Sequence, residues 1–250
     1  MWDSPLRTPY DIRFRCCGFP VRVHPLFWLA AALLGGDLIQ SGLHYWLLWI
    51  LVVFVALLVH ELGHAVAYRV YGCQAAIILW IFGGLTVADR IPGRHASRII
   101  VSLAGPFSGF ALAGLLYITQ RLTAWQNDEA PHALIFTYQL LILVNVYWGI
   151  LNLVPVLPLD GGQVCRDVCE WIRPTKGAIW AWQISLWTAS LLALYSLMCW
   201  WETTHNGGPL TRLLPVWFPK GSWWTAVLFA LLALQSYQHL HQRTHRSARF

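Results

Sequence analysis

His60, Glu61 and His64 stand as His-Glu-Leu-Gly-His inside a stretch that is otherwise apolar from Tyr45 to Ala67. On a helix, residues four apart lie on one face, so both imidazoles can hold one metal ion. Glu61 sits beside the first ligand, where a carboxylate can take the proton of an attacking water. This is the zinc-protease pattern, with the glutamate as general base. A charged or ionisable cluster in a membrane segment is costly, and it marks function by default. The bland alternative is a histidine pair packed by hydrogen bonds inside a helix bundle.

A second polar run closes a later apolar segment: Asn152, Pro155, Pro158, Leu159, Asp160, Gly161 and Gly162. The two prolines break the helix, and the double glycine frees the backbone after Asp160. Such a backbone suits bringing Asp160 to a site in non-helical form; a plain helix stop is the other reading. Between the two runs, Ala75 to Val87 is β-branched and aromatic, too short for a spanning helix, with Gly83-Gly84 in its middle. It reads as a β-hairpin turning at Gly83-Gly84. Exposed backbone cannot face lipid, so this hairpin lies against protein or water. It is either passive or an edge strand that receives an extended peptide. The six cysteines form no C-x-x-C pair and no disulfide framework, and Cys165 and Cys169 share a helix face incidentally.

The elements that position these residues follow from composition. Of 250 residues, 57% are hydrophobic and 11% charged, and mean hydropathy is +0.52. A soluble domain carries about 25% charged residues, and sixteen Trp suit interfacial belts. The expected fold is an all-α polytopic membrane protein: six transmembrane helices with a small membrane-associated β-hairpin. A single integral domain covers 1–250. Residues 1–23 form a basic cytoplasmic lead-in without a removable signal peptide, 24–238 the six-helix core and 239–250 a basic tail. In the lead-in, Ile12 to Arg15 and Val21 to Val23 alternate apolar and basic residues, which suggests short strands. The spans begin near His24, Tyr45, Arg98, Ala133, Gly177 and Ser222. Gly105-Pro106 kinks the third, and Arg121 to Pro131 and the stretch around Asn206 to Pro209 are loops. At 1.5 Å per residue, His60 lies about 16 Å from the Tyr71 end of its helix, inside a hydrocarbon layer about 30 Å thick.

Charge gives the orientation. With a cytoplasmic N-terminus and six spans, 14 of the 17 Lys and Arg lie on the cytoplasmic side, leaving Arg121, Arg212 and Lys220 outside. The net charge of +6 is explained without nucleic acid. Segments two and four then run the same way, so His60, His64 and Asp160 fall toward the cytoplasmic half. His239, His241 and His245 belong to the basic tail near anionic lipid, and His24, His44, His95, His132 and His205 to interfaces or loops.

Together these residues resemble the site-2 protease family of intramembrane zinc metalloproteases: His60-Glu61-Leu62-Gly63-His64, Phe82-Gly83-Gly84, Gly105-Pro106, and Asn152, Pro155, Pro158-Leu159-Asp160-Gly161. The resemblance runs from about Leu26 to Gly162. It implies one zinc per chain on His60, His64 and Asp160, with Glu61 and Asn152 catalytic. Gly83, Gly84, Asn152 and Pro158 are expected to contact substrate, with Asn152 steadying the oxyanion. The implied activity is hydrolysis of peptide bonds in or near transmembrane segments, as in regulated intramembrane proteolysis. The expected partners are the lipid bilayer, a transmembrane protein substrate and a regulatory membrane protein; no nucleic acid is expected. The expected location is the plasma membrane, with both termini cytoplasmic. Many members have Asn where Gly109 stands, and many carry a PDZ domain or a CBS pair, for which no segment here is long enough.

Three rivals stand beside this reading. A non-catalytic scaffold retaining a zinc site needs no base, yet Glu61 is present. A di-iron oxidase or desaturase needs more histidines in its spans than His60 and His64. Another membrane protease of this motif usually takes a glutamate as third ligand, yet Glu129, Glu170 and Glu202 lie outside the spans.

Overall fold

The apolar–basic alternation of the lead-in becomes a hairpin. Strand β1 (Ile12–Cys16) pairs antiparallel with β2 (Phe19–Val23) across Cys17 and Gly18. Both turn residues have positive φ, +52° and +81°, the conformation that suits the twist of a tight hairpin. The computed structural model describes residues 7–81, 83–123, 132–205 and 222–247. The expectations for Phe82, for the loops at 124–131 and 206–221, and for Arg249 fall outside the described residues. The chain forms two compact units, Met1–Leu153 and Val154–Phe250.

In the first unit, β2 leads into α1 (Pro25–Leu34) and a 3-10 turn, Gly36–Ser41. His24, read from sequence as interfacial, is the buried N-cap of α1: its Nδ1 accepts from the Leu26 N–H at 3.1 Å, and Pro25 fills the first helical position. Helix α2 (Leu43–Val70) follows, then β3 (Ala75–Trp80), β4 (Gly83–Ala88), α3 (His95–Leu122) and α4 (His132–Asn152). The second unit holds α5 (Asp160–Ile172), α6 (Gly177–Thr204) and α7 (Trp223–Ser247).

The expected lone hairpin is part of a larger sheet, ordered β1-β2-β3-β4. β2 runs parallel to β3, with Val21 opposite Ile77 and Val23 opposite Leu79. The His24 N–H extends the ladder to the Leu79 carbonyl at 2.9 Å. Alternate residues Phe19, Val21, Val23, Ile77 and Leu79 turn inward and form one core with Phe27 and Ala31 of α1 and Val53, Leu57 and Ala65 of α2. The sheet lies along the C-terminal half of α2. At one end, Arg69 donates to the Cys17 carbonyl (3.2 Å) and caps the Phe19 ring. At the other, Gly83 and Gly84 abut Leu57 and Glu61.

The β3–β4 reversal lies two residues earlier than expected. Trp80 pairs with Gly83 and Leu79 with Gly84, so the glycines begin β4 rather than make the turn. The Asp89 N–H donates to the Gln74 carbonyl at 2.9 Å, and this sets the phase of the ladder. In an antiparallel pair, bonded and non-bonded residues alternate, so Gly84, Thr86 and Ala88 direct their backbone groups away from β3. Among the described residues, no strand lies beyond β4.

Six spans are not confirmed. Among the described residues, α2, α3, α4 and α6 are long and apolar enough to cross a membrane, at 28, 28, 21 and 28 residues. α1 has 10 residues, about 15 Å of helix, half a bilayer core. α7 has 25 but turns polar from Gln238 onward.

Candidate active site

α2 is largely apolar, and between Tyr45 and Tyr68 its ionisable residues are His60, Glu61 and His64 alone. His60, Glu61 and His64 are 4%, 5% and 7% exposed. Helical spacing brings the two imidazoles together: Nε2 of His60 lies 3.2 Å from Nε2 of His64. The His64 ring is fixed from behind, because its Nδ1 donates to the Val101 carbonyl of α3 at 2.7 Å. With the proton on Nδ1, Nε2 of His64 presents a lone pair. This is the outer-shell bond that orients a ligating histidine. Two nitrogens bound to one tetrahedral zinc, at about 2.0–2.1 Å each, stand about 3.3 Å apart. The observed pair therefore fits a zinc ion, and Glu61 offers a carboxylate within 4.8 Å of both ligand nitrogens.

Close approach of α3 and β4 is what encloses this group. A Cβ on Gly105 would overlap the His64 ring, and a Cβ on Gly84 would overlap the Glu61 side chain. Gly105 and Gly84 are thus required for space. A buried carboxylate needs hydrogen bonds, and Thr86 of β4 supplies one: its hydroxyl donates to Oε2 of Glu61 at 2.7 Å, with the Glu61 backbone carbonyl 3.1 Å away.

The other expected residues have these positions. Gly83 has φ +121°, and a Cβ there would stand 2.9 Å from the Trp148 ring of α4. Asn152 ends α4, 8% exposed, and gives one amide N–H to the Trp148 carbonyl at 2.9 Å. Gly109, the departure noted above, faces Asn145 of α4: a Cβ at 109 would lie 3.3 Å from Asn145 Oδ1. That oxygen is buried and has no hydrogen-bond partner, while Nδ2 donates to the Leu141 carbonyl at 2.8 Å.

Pro158 and Asp160 belong to the second unit. Asp160 was expected on non-helical backbone; it is the first residue of α5, where a carboxylate suits the helix dipole. The irregular piece is 154–159. There the Leu159 N–H donates to the Val156 carbonyl at 2.8 Å, and the Leu157–Pro158 bond is cis. The double glycine does not loosen this backbone. It lies inside the first turn of α5, and a Cβ on Gly162 would meet the Leu157 N and the Val156 carbonyl carbon at 2.5 Å. A chain of buried hydroxyls ties the segment to its own unit. The Leu157 N–H donates to Ser185 Oγ (2.9 Å), Ser185 donates to Ser236 Oγ (2.8 Å), and Ser236 donates to the Leu232 carbonyl (2.9 Å).

Sequence reasoning missed Thr86, Val101, Ser185 and Ser236. Each acts on a partner between 25 and 51 residues away, and no local pattern records such a pairing.

Comparison with known proteins follows the same lines. The sequence model described as peptidase family M50 matches residues 119–194. A zinc metalloprotease of Methanocaldococcus jannaschii is 32% identical over 173 residues, 67% of this chain and 49% of the relative. A putative zinc metalloprotease, Rip3, of Mycobacterium tuberculosis is 33% identical over 168 residues, 61% of this chain and 42% of the relative. Stage IV sporulation protein FB of Bacillus subtilis is 27% identical over 232 residues, 92% of this chain and 69% of the relative. The chain spans about half the length of the first curated relatives it matches. The solved site-2 protease from Methanocaldococcus jannaschii has the same fold, with a TM-score of 0.60 at 24% identity over 92% of this chain and 95% of that one.

Proposed function

We infer that the chain belongs to peptidase family M50, the family of the site-2 proteases. On that premise we propose that it is a zinc-dependent endopeptidase cutting peptide bonds in or near transmembrane segments of membrane proteins. The observation that carries this reading is the buried group on α2, two Nε2 atoms 3.2 Å apart beside a hydrogen-bonded carboxylate. His60, His64 and Asp160 would hold the zinc ion, which when bound would supply a Lewis acid for the scissile carbonyl and for deprotonation of water. Glu61 accepts the proton of the attacking water and returns it to the leaving amine. Asn152 has a second amide N–H, which steadies the carbonyl oxygen as negative charge builds.

A transmembrane substrate helix hides its carbonyls in its own hydrogen bonds and must unwind to be cut. The outward backbone groups of Gly84, Thr86 and Ala88 offer an edge for the unwound segment. This edge passes Glu61, and Gly83 and Gly84 contact the substrate there while their missing side chains let β4 lie close to Trp148 and Glu61. Pro158, two residues before Asp160, contacts the substrate near the third ligand.

The decisive experiment is Glu61→Gln in purified protein. Zinc content and substrate binding should stay at wild-type levels, while cleavage falls by more than the roughly 10²–10⁴-fold usual for acid–base help. Cleavage near the wild-type rate would falsify this mechanism.

The protein is integral to the membrane, and we assign both termini to the cytoplasmic side of the plasma membrane. The charge bias supports this only if α1 with its 3-10 turn, and α7, also cross. With four crossings the 17 Lys and Arg split 10 to 7, which is no bias. The parallel pairing of β2 with β3 supports a crossing by the 10-residue α1. β2 has already carried the chain to the level of Leu57–Glu61 on α2, and α1 plus the 3-10 turn adds about 27 Å, enough to reach Leu43. A cysteine at Gly207, in a cysteine-free background, should react with an impermeant reagent on intact cells, and one at Arg94 should not. The reverse pattern would overturn the orientation.

A further inference from the structure

We propose that Thr86 is the positioning residue for the base: its hydroxyl holds one carboxylate oxygen of Glu61, leaving the other directed over Gly84. The proposal rests on the reading of Glu61 as the base. A glutamate side chain has three rotatable bonds, and the cost of fixing them opposes any single productive pose. Glu61 Oε2 accepts from Thr86 at 2.7 Å, and Oε1 lies against Gly84, where the missing side chain leaves the space a Cβ would fill. The two β4 residues lie two apart on one face of the strand and grip the carboxylate from two sides. The hydroxyl has one proton, and Oε2 is its nearer acceptor. Once that bond is made, proton exchange with water falls to Oε1.

The strand offering its outer edge to the peptide thereby also sets the base. Backbone groups of Gly84 and Thr86 point outward along the ladder while their inner face meets α2. A peptide that pairs at these residues is registered against the carboxylate by the same two residues. Distance along the chain hides this link: Thr86 is 25 residues from Glu61 and lies outside the motif.

The test compares Thr86→Val, which keeps shape and strand preference but lacks the hydroxyl, with Thr86→Ser, which keeps it. Full-length variants in lipid vesicles are assayed on a quenched-fluorescent peptide with an apolar core, chosen because wild type cuts it. In Thr86→Val, kcat should fall about 10–100-fold with KM and zinc content unchanged. Thr86→Ser should stay within about threefold of wild type. A second readout needs no turnover: the Glu61 carboxylate stretch in metal-free protein, isolated by subtracting the Glu61→Gln infrared spectrum. It should shift in Thr86→Val and return in Thr86→Ser. Wild-type kcat or an unshifted band in Thr86→Val overturns the proposal. So does loss of zinc or of thermal stability, which would make Thr86 merely structural. If Glu61→Gln cuts as wild type does, the reading of the base fails instead, and the infrared band alone decides whether Thr86 holds the carboxylate.

Discussion

The histidine turn of α2 and residues 154–162 both place polar groups within an apolar chain, the first by helical regularity and the second where an irregular backbone leads into the helix that Asp160 begins. On α2, the 3.6-residue repeat alone brings His60 and His64 to one face, and the neighbours only lock what the helix has placed. Around Asp160, no repeat operates. Two prolines end the regular bonding, Gly162 lets the first turn of α5 fold onto Val156 and Leu157, and Ser185 and Ser236 take up a stranded backbone donor. A helical motif is robust to its surroundings; the turn depends on partners from other helices.

The largest effect separating the two concerns metal. His60→Ala and His64→Ala should bring zinc per chain close to zero and abolish cleavage. Asp160→Ala should also abolish cleavage and weaken zinc by more than the about 10–100-fold typical of an outer-shell partner, measured by competition with a chelator. Full occupancy and full cleavage in Asp160→Ala would remove it from the ligand set, leaving the helical pair as the whole of the site.

An intermediate effect belongs to the strand beside α2. β3 has neighbours on both sides, so a proline there removes a donor to β2 or to β4 inside the sheet and cannot isolate the outer edge. Ala88→Pro removes only an outward donor. Peptide cleavage should fall, chiefly through KM, with zinc and melting temperature unchanged. Turnover equal to wild type in Ala88→Pro would make the hairpin passive.

The smallest effects lie in the hydroxyl chain. Ser185→Ala leaves the buried Leu157 N–H without its acceptor, a cost of about 1–3 kcal/mol. Ser236→Ala leaves only a hydroxyl free to turn elsewhere, about 0.5–1.5 kcal/mol. Thermal melts of the two variants should rank in that order. If Ser185→Ala melts with wild type, residues 154–159 hold themselves, as the histidine turn of α2 does.

Much of this was legible from residue order alone, because helical motifs, strand alternation and proline breaks are local. The α2 pair, the lead-in strands and the interruption before Asp160 all follow from neighbours a few residues apart, and so does the membrane character of the chain. Gly83-Gly84 and Gly161-Gly162 were misread for one reason. Glycine signals either freedom or closeness, and only the neighbour it approaches, Glu61 in one case and Val156 in the other, tells which. The depth at which α1 begins was not legible either, because the β2–β3 pairing, made across more than fifty residues, carries the chain partway along α2 before α1 starts. Thr86 on Glu61, Val101 on His64 and Ser185 on Leu157 were decided by tertiary structure. Burial obliges each polar group to find a partner, and packing chooses which distant residue answers.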